Sequence, residues 1–252
     1  MQSFMEVYIL FSIVVITGRA FFFLISFILP YPNPACFYTS SCGPNAAIKW
    51  DLTTLSASLY ALRPIRSGKE ILKTYIDPLL PRATRVATLL KNYRFSCDCP
   101  WCDVHHSSDN NKSAPNEILA LSPEELTQVA ASDNNRAQLV KWIFTHPGYL
   151  KWSTDLCRSD DLVIAAHLEA LALIDKEGLH GLQNLFTEEI AMCYAILGDE
   201  VEFQRWGQRV VQLSRVEDPP LAAKFQGWLE DPPKNFKRWA WRKKQRMRKF
   251  FQ

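Results

Sequence analysis

Cys97, Cys99 and Cys102 lie within the six-residue run C-D-C-P-W-C. Sulfur ligands clustered at C-x-C-x-x-C spacing point to a thiolate metal site, zinc first, in a reducing compartment. A redox or purely structural role for the trio is the alternative. A closed tetrahedral site needs four ligands, and this run offers three. The chain has seven cysteines, and the other four (Cys36, Cys42, Cys157 and Cys193) are scattered. A small secreted disulfide scaffold would be shorter and denser in Cys. His105 and His106 follow closely, but they open the polar run H-H-S-S-D-N-N-K-S-A-P-N and read as solvated loop residues. Cys42 sits in T-S-S-C-G-P-N-A, where Gly-Pro-Asn implies a tight turn that exposes its sulfur. It lies so far before Cys97 that only the fold could join them.

The chain has 252 residues, a formal net charge of +3, 48% hydrophobic and 22% charged residues, so most of it is globular, in one or two domains. Five stretches are expected. Residues 1–34 carry an apolar run, Val7 to Leu29, read as an N-terminal apolar helix long enough to cross a bilayer, with Arg19 costly at its middle. Glu6 before it makes it a poor signal peptide. Residues 35–104 mix strands and turns: Ala46–Trp50, Ser58–Leu62 and Glu70–Tyr75 read as strands, and Pro81–Leu90 as a helix. Residues 105–116 form a linker.

Residues 117–230 are helical. Ser122-Pro123-Glu124-Glu125 is a capping-box start, and Gly178 and Gly198 are helix stops. Helix pairs repeating at about 40 residues resemble tetratricopeptide-type hairpins, with an irregular bundle as the alternative. His167 and Cys193 are expected to face the core. Residues 231–252 form a basic tail with Trp239 and Trp241 among the cations. Such a run suits nuclear import, nucleic acid or an anionic membrane surface, or is simply a frayed cationic end.

The order C-x-P-N-A, L-x-A-x-R-P-I-x-x-G-x-E-I, T-Y-I-D, P-R-x-x-R and Y-x-F-x-C-x-C-x-x-C resembles the C-terminal half of a SET domain with its post-SET cysteines. Within that family it is most similar to the SET-and-MYND branch, as found in many fungal SET proteins. The resemblance is specific over Ala35–Cys102 and extends only weakly over the helical stretch. It implies an α+β fold, a partial β-rich SET domain followed by an all-α domain. It also implies a protein-lysine N-methyltransferase using S-adenosylmethionine, acting on a protein substrate with a target lysine in the nucleus or cytoplasm. It supplies the fourth ligand, giving a closed zinc site of Cys42, Cys97, Cys99 and Cys102 that pins the post-SET segment rather than doing chemistry.

Tyr75 matches the family's catalytic tyrosine. Methyl transfer is an in-line displacement that requires alignment of amine, methyl and sulfonium. The lysine, with a free pKa of about 10.4, must arrive neutral, which a dry aromatic channel beside a cation favours. Phe95 matches the aromatic against cofactor and lysine channel, with Tyr93 a further candidate for that wall. Asn45, with Pro44, belongs to the turn beneath the cofactor.

Departures from the pattern bear on activity. The family has Asn-His before the Ser-Cys of its motif, where this chain has Thr39 and Ser40, and no G-x-G precedes Cys42. The Gly-rich cofactor loop, the first SET strands and the MYND insert are not recognisable. Codons with T at the second position give Phe, Leu, Ile and Val, so translated noncoding DNA would resemble the apolar run. The expectation is a truncated or mispredicted gene product with little or no activity, the alternative being a membrane-anchored SET remnant. A reading from another class is a non-catalytic interaction module, in which the helical stretch binds a protein partner on a zinc-stapled scaffold.

Overall fold

The computed structural model describes residues 7–9, 39–54, 56–104, 121–145 and 148–250. It contains two compact units, the first within Met1–Pro78 and Arg82–Ala120, the second within Leu79–Pro81 and Leu121–Gln252.

In the first unit, β1 (Val7–Ile9), β3 (Ala46–Asp51) and β4 (Ser56–Ala61) form an antiparallel sheet in the order β1-β4-β3. Lys49 pairs Ser58 and Ile48 pairs Leu59 across the β3–β4 hairpin. Asp51 closes that hairpin by accepting the Thr53 amide at 2.8 Å. A second, parallel pair joins β2 (Thr39–Ser40) to β5 (Leu72–Lys73). The strand expected over Glu70–Tyr75 shrinks to Leu72–Lys73 because Thr74 turns the chain, its Oγ1 donating to the Ile76 carbonyl at 2.6 Å. Helix α1 (Arg82–Tyr93) follows, with Leu89 fully buried.

The N-terminal apolar helix is not supported. Val7–Ile9 form a strand whose residues pair with β4, Val7 opposite Leu59. Val, Tyr and Ile favour a pleated surface, and β4 offers an open edge to pair with. No described helix is long and apolar enough to cross a membrane. The rest of the apolar run, like His105, His106 and the linker, lies outside the described residues.

The second unit is all helical: α2 (Pro123–Thr145), α3 (Tyr149–Thr154), α4 (Leu162–Glu177), α5 (Gln183–Leu197), α6 (Glu200–Glu217), α7 (Pro219–Glu230), α8 (Pro232–Asn235) and α9 (Trp241–Phe250). The capping box forms at the start of α2: Ser122 Oγ accepts the Glu125 amide at 3.2 Å, and Glu125 accepts the Ser122 amide at 2.7 Å. Gly178 and Gly198 end α4 and α5 with φ of 66° and 76°, where a side chain would strain the backbone. Helix α5 packs against α3, α4, α6 and α9. His167 and Cys193 are buried, as their apolar neighbours require.

Tetratricopeptide-type repetition is not supported. The helices run 23, 6, 16, 15, 18 and 12 residues from α2 to α7, without a repeating pair. Short turns with Gly can join helices of any length, so the turns alone misled. Nor is the basic tail frayed. Trp239 is 8% exposed among Phe203, Phe225 and Phe236. Arg242 is fully buried, stands 4.3 Å over the Trp152 ring, and donates to the carbonyls of Trp152, Asp155 and Arg158 at 2.6–2.8 Å.

Candidate metal centre and aromatic wall

The turn Ser41–Ala46 is built by Asn45. Its side chain donates to Glu70 O at 2.9 Å and accepts the Leu72 amide at 2.8 Å. Its backbone amide donates to Leu72 O at 3.0 Å, and its carbonyl accepts the Leu62 amide at 2.8 Å. A side-chain amide mimics a peptide here, and fastens the turn to the end of β5. Ser41 N–H adds a bond to Lys73 O at 2.9 Å. The turn thus presents Cys42 inward, 1% exposed.

The C-terminal knuckle comes to meet it. The Cys102 and Asp103 amides donate to Cys99 O at 2.8 and 2.9 Å, folding Cys99–Cys102 into a tight turn. Two arginines on one face of α1 hold that turn by its carbonyls: Arg82 Nε to Cys102 O at 2.8 Å and Arg85 to Trp101 O at 3.1 Å. Trp101 lies against Gly43, where any Cβ would overlap the indole. The motifs P-R-x-x-R and C-x-P-N-A each carried part of the resemblance, with Gly43 at the open position of the second. What their Arg and Gly do becomes visible only with the knuckle folded against them.

The four sulfurs of Cys42, Cys97, Cys99 and Cys102 lie within 4.8 Å of one another, all buried. Cys42 and Cys102 Sγ are 3.4 Å apart, well beyond a disulfide bond of about 2.05 Å. A tetrahedral zinc at about 2.3 Å from each sulfur sets sulfurs about 3.8 Å apart, which this cluster fits. The Cys42 amide points at Cys99 Sγ at 3.5 Å, favouring a thiolate there. Contact with Cys102 pushes the Cys42 and Cys97 thiols up and the Cys99 thiol down, and contact with Cys42 pushes Cys102 down. Sulfurs this close share protons unless a cation replaces them, and a divalent soft cation is what four thiolates suit.

Beside the cluster, three aromatics converge. Tyr75 and Tyr93 ring centroids are 5.1 Å apart, Tyr75 and Phe95 stand edge to face at 6.1 Å, and Tyr93 and Phe95 are 6.5 Å apart. Tyr93 Oη donates to Tyr75 O at 3.2 Å. Tyr75 and Phe95 pack on the buried sulfurs with Leu89, so the knuckle and the aromatic wall are one packed body. Lys73, at the end of β5 and two residues before Tyr75, sets its Nζ 4.8 Å from the Tyr75 ring centroid, and burial lowers its pKa.

Every residue expected in the zinc site is brought together, and Tyr75 and Phe95 share a wall. Asn45 sits apart, its amide engaged with the backbone of β5. Thr39 and Ser40 pair in β2 with Leu72 and Lys73.

Comparison with curated proteins gives partial matches. A SET domain and MYND-type zinc finger protein of Schizosaccharomyces pombe is 37% identical over 73 residues, 29% of this chain and 15% of that protein. This stretch is similar to the SET-and-MYND proteins. N-lysine methyltransferase SMYD2-B of Danio rerio is 40% identical over 62 residues, 25% of this chain and 14% of its own. The histone-lysine N-methyltransferase set5 of S. pombe is 36% identical over 98 residues, 39% of this chain and 28% of its own. These three matches span 14–28% of each relative's length. No family model matches the chain.

Proposed function

We propose that this chain is a SET-domain protein of the protein-lysine N-methyltransferase kind, with a zinc-pinned wall for the lysine channel. The observation that carries this reading is the meeting of two segments more than 50 residues apart, Cys42 and Cys97–Cys102, packed directly on Tyr75 and Phe95. Cys42, Cys97, Cys99 and Cys102 hold zinc, and the ion has structural work only, since four thiolates leave no open position. Such a thiolate site supports a reducing compartment, nucleus or cytoplasm.

S-adenosylmethionine, when bound, supplies the methyl group. Tyr75, Tyr93 and Phe95 exclude water from the approach of the target lysine and favour its neutral amine. The Tyr75 phenol orients it. Phe95 gives the cofactor an apolar face. Asn45 serves the cofactor through the turn that it fastens, because both ends of its amide are engaged with Glu70 and Leu72. Thr39 and Ser40 replace the family's Asn-His, so methyl transfer by this chain is expected to be slow.

A second reading is favoured by Lys73. Its Nζ lies over the Tyr75 ring, where a substrate amine would approach. In that reading the aromatic wall is closed by the chain's own cation, and the protein works as a binding module, its helical unit taking a protein partner. Calorimetric titration with S-adenosylmethionine separates the two. Saturable binding that Phe95→Ala weakens supports the enzyme reading. Heat indistinguishable from dilution, with zinc still bound, supports the module.

A further inference from the structure

The basic tail has an inner and an outer face. Arg238, Arg242 and Arg246 recur every four residues and bond to the body of the helical unit, Arg242 buried, Arg238 half-buried and Arg246 exposed. Arg238 donates to Ser153 Oγ at 2.9 Å. Arg242 is the buried anchor described above, and its Nε reaches Asp160 at 2.9 Å. Arg246 meets both Asp160 oxygens at 2.6 and 2.7 Å. In a helix of 3.6 residues per turn, Lys244 and Arg248 fall on the opposite side of α9 from Arg242 and Arg246. Both are exposed, as are Lys234, Lys237 and Lys243. No acid occurs from Pro232 to Phe250 to offset them.

The face therefore offers a partner rigid positive charge. We propose that the outer face of α9, centred on Lys244 and Arg248, binds the phosphodiester backbone of nucleic acid without reading its sequence. Two observations favour a phosphate polymer over a lipid surface. A helix lying in a membrane needs Trp, Phe or Leu to insert on the side it presents. Here Trp239 is in the core, Trp241 is half-buried under Arg238, whose guanidinium lies 5.2 Å from its ring, and among the described side chains of α9 Met247 is the one exposed large apolar group, too little for a membrane-inserting face. Second, the outward cations repeat one helical turn apart, about 6 Å, on an element that Arg242 fixes to the core, so they meet a regular row of anions without ordering a flexible segment first.

The test is fluorescence anisotropy of the full chain with a short labelled DNA duplex of arbitrary sequence, repeated over a salt series. The logarithm of the binding constant is expected to fall linearly with the logarithm of salt, by about 0.9 per phosphate contacted. Lys244→Gln with Arg248→Gln is expected to reduce that slope by about 2 and weaken low-salt binding at least about tenfold. Helical circular dichroism and Tm should stay those of the parent chain, because neither side chain is in the core. Lys141→Gln with Lys176→Gln removes the same charge elsewhere on the helical unit and is expected to leave the slope unchanged. The proposal is overturned by duplex binding that the Lys244/Arg248 pair does not alter, or by an equal loss in the control pair. It is likewise overturned if the chain ignores the duplex and sediments with vesicles of phosphatidylserine and phosphatidylcholine.

Discussion

The Trp101 indole lies on the backbone of Gly43, so close that a Cβ at Gly43 would overlap the ring. This contact joins the two halves of the cysteine cluster from the outside. Gly43→Ala forces Trp101 away and, with it, the turn carrying Cys99 and Cys102. An overpacked site of this kind is expected to lose about 1–3 kcal/mol of stability. Chemical denaturation would read that loss, and competition with a chromophoric chelator would read faster metal release. A variant that keeps both stability and metal retention would disprove the clamp.

The purified chain is expected to carry one zinc, and Cys99→Ser to lose it. Acid works in the same direction, since protons compete with the metal for thiolates. Elemental analysis of the two proteins checks the stoichiometry. Native mass spectra over a falling pH series check the competition. The helical unit should keep its circular dichroism in Cys99→Ser, because its core contains none of the four sulfurs.

Tyr75 and Lys73 decide between enzyme and module. Tyr75→Phe is expected to keep fold and zinc while lowering any methyl transfer about a hundredfold, the scale of a lost alignment. Lys73→Ala is expected to raise that transfer if the lysine blocks the ring, and to leave it unchanged if it does not. Tritium transfer from labelled S-adenosylmethionine to a mixed histone substrate gives the readout, with the Tyr75→Phe chain as baseline.

Asp160 sets an acid limit on tail docking. The hydrogen bond from Arg246 first, and that from Arg242 after it, hold its carboxyl below the ordinary range. A depressed carboxylate contributes stability above its unfolded pKa, about 3.9, and loses it as pH falls through the lower folded value. Its side chain is 41% exposed, so the contribution is about 1 kcal/mol or less. Asp160→Asn should therefore melt earlier than the parent near neutrality, and the two Tm values should converge in acid. Glu188 runs the other way. Burial raises its pKa, so the stability it contributes is present below the ordinary glutamate pKa, about 4.3, and is lost as pH rises through the folded value. Glu188→Gln should raise Tm at neutral pH, with no gain in acid.

What could be read in the sequence was local. Ser122 and Glu125 announced their reciprocal cap, Gly178 and Gly198 their stops, and the short run Ala46–Trp50 its strand, because each rests on near neighbours in the chain. Long-range partners were hidden. Val7–Ile9 read as part of an apolar helix because the edge of β4 that they join lies some 50 residues away. Arg242 read as one cation in a basic run, since composition cannot tell that backbone carbonyls of residues 152–158, left open where α3 ends, wait for a guanidinium. The cysteine cluster escaped this rule only through resemblance. Spacing alone supplied three ligands and left the fourth open.

The joining of Cys42 to Cys102 also fixes the order in which the first unit is completed. A metal held by both sulfurs would close a loop of 60 residues, worth about 4 kcal/mol in the chain-entropy picture of a cross-link. None of that is available while the loop is open. A ribosome adding about 5–20 residues per second leaves Cys42 without its partners for about 3–12 s. During that interval Cys42 stands without the other three thiols, so the four-thiolate site proposed here is completed only once Cys102 has been made.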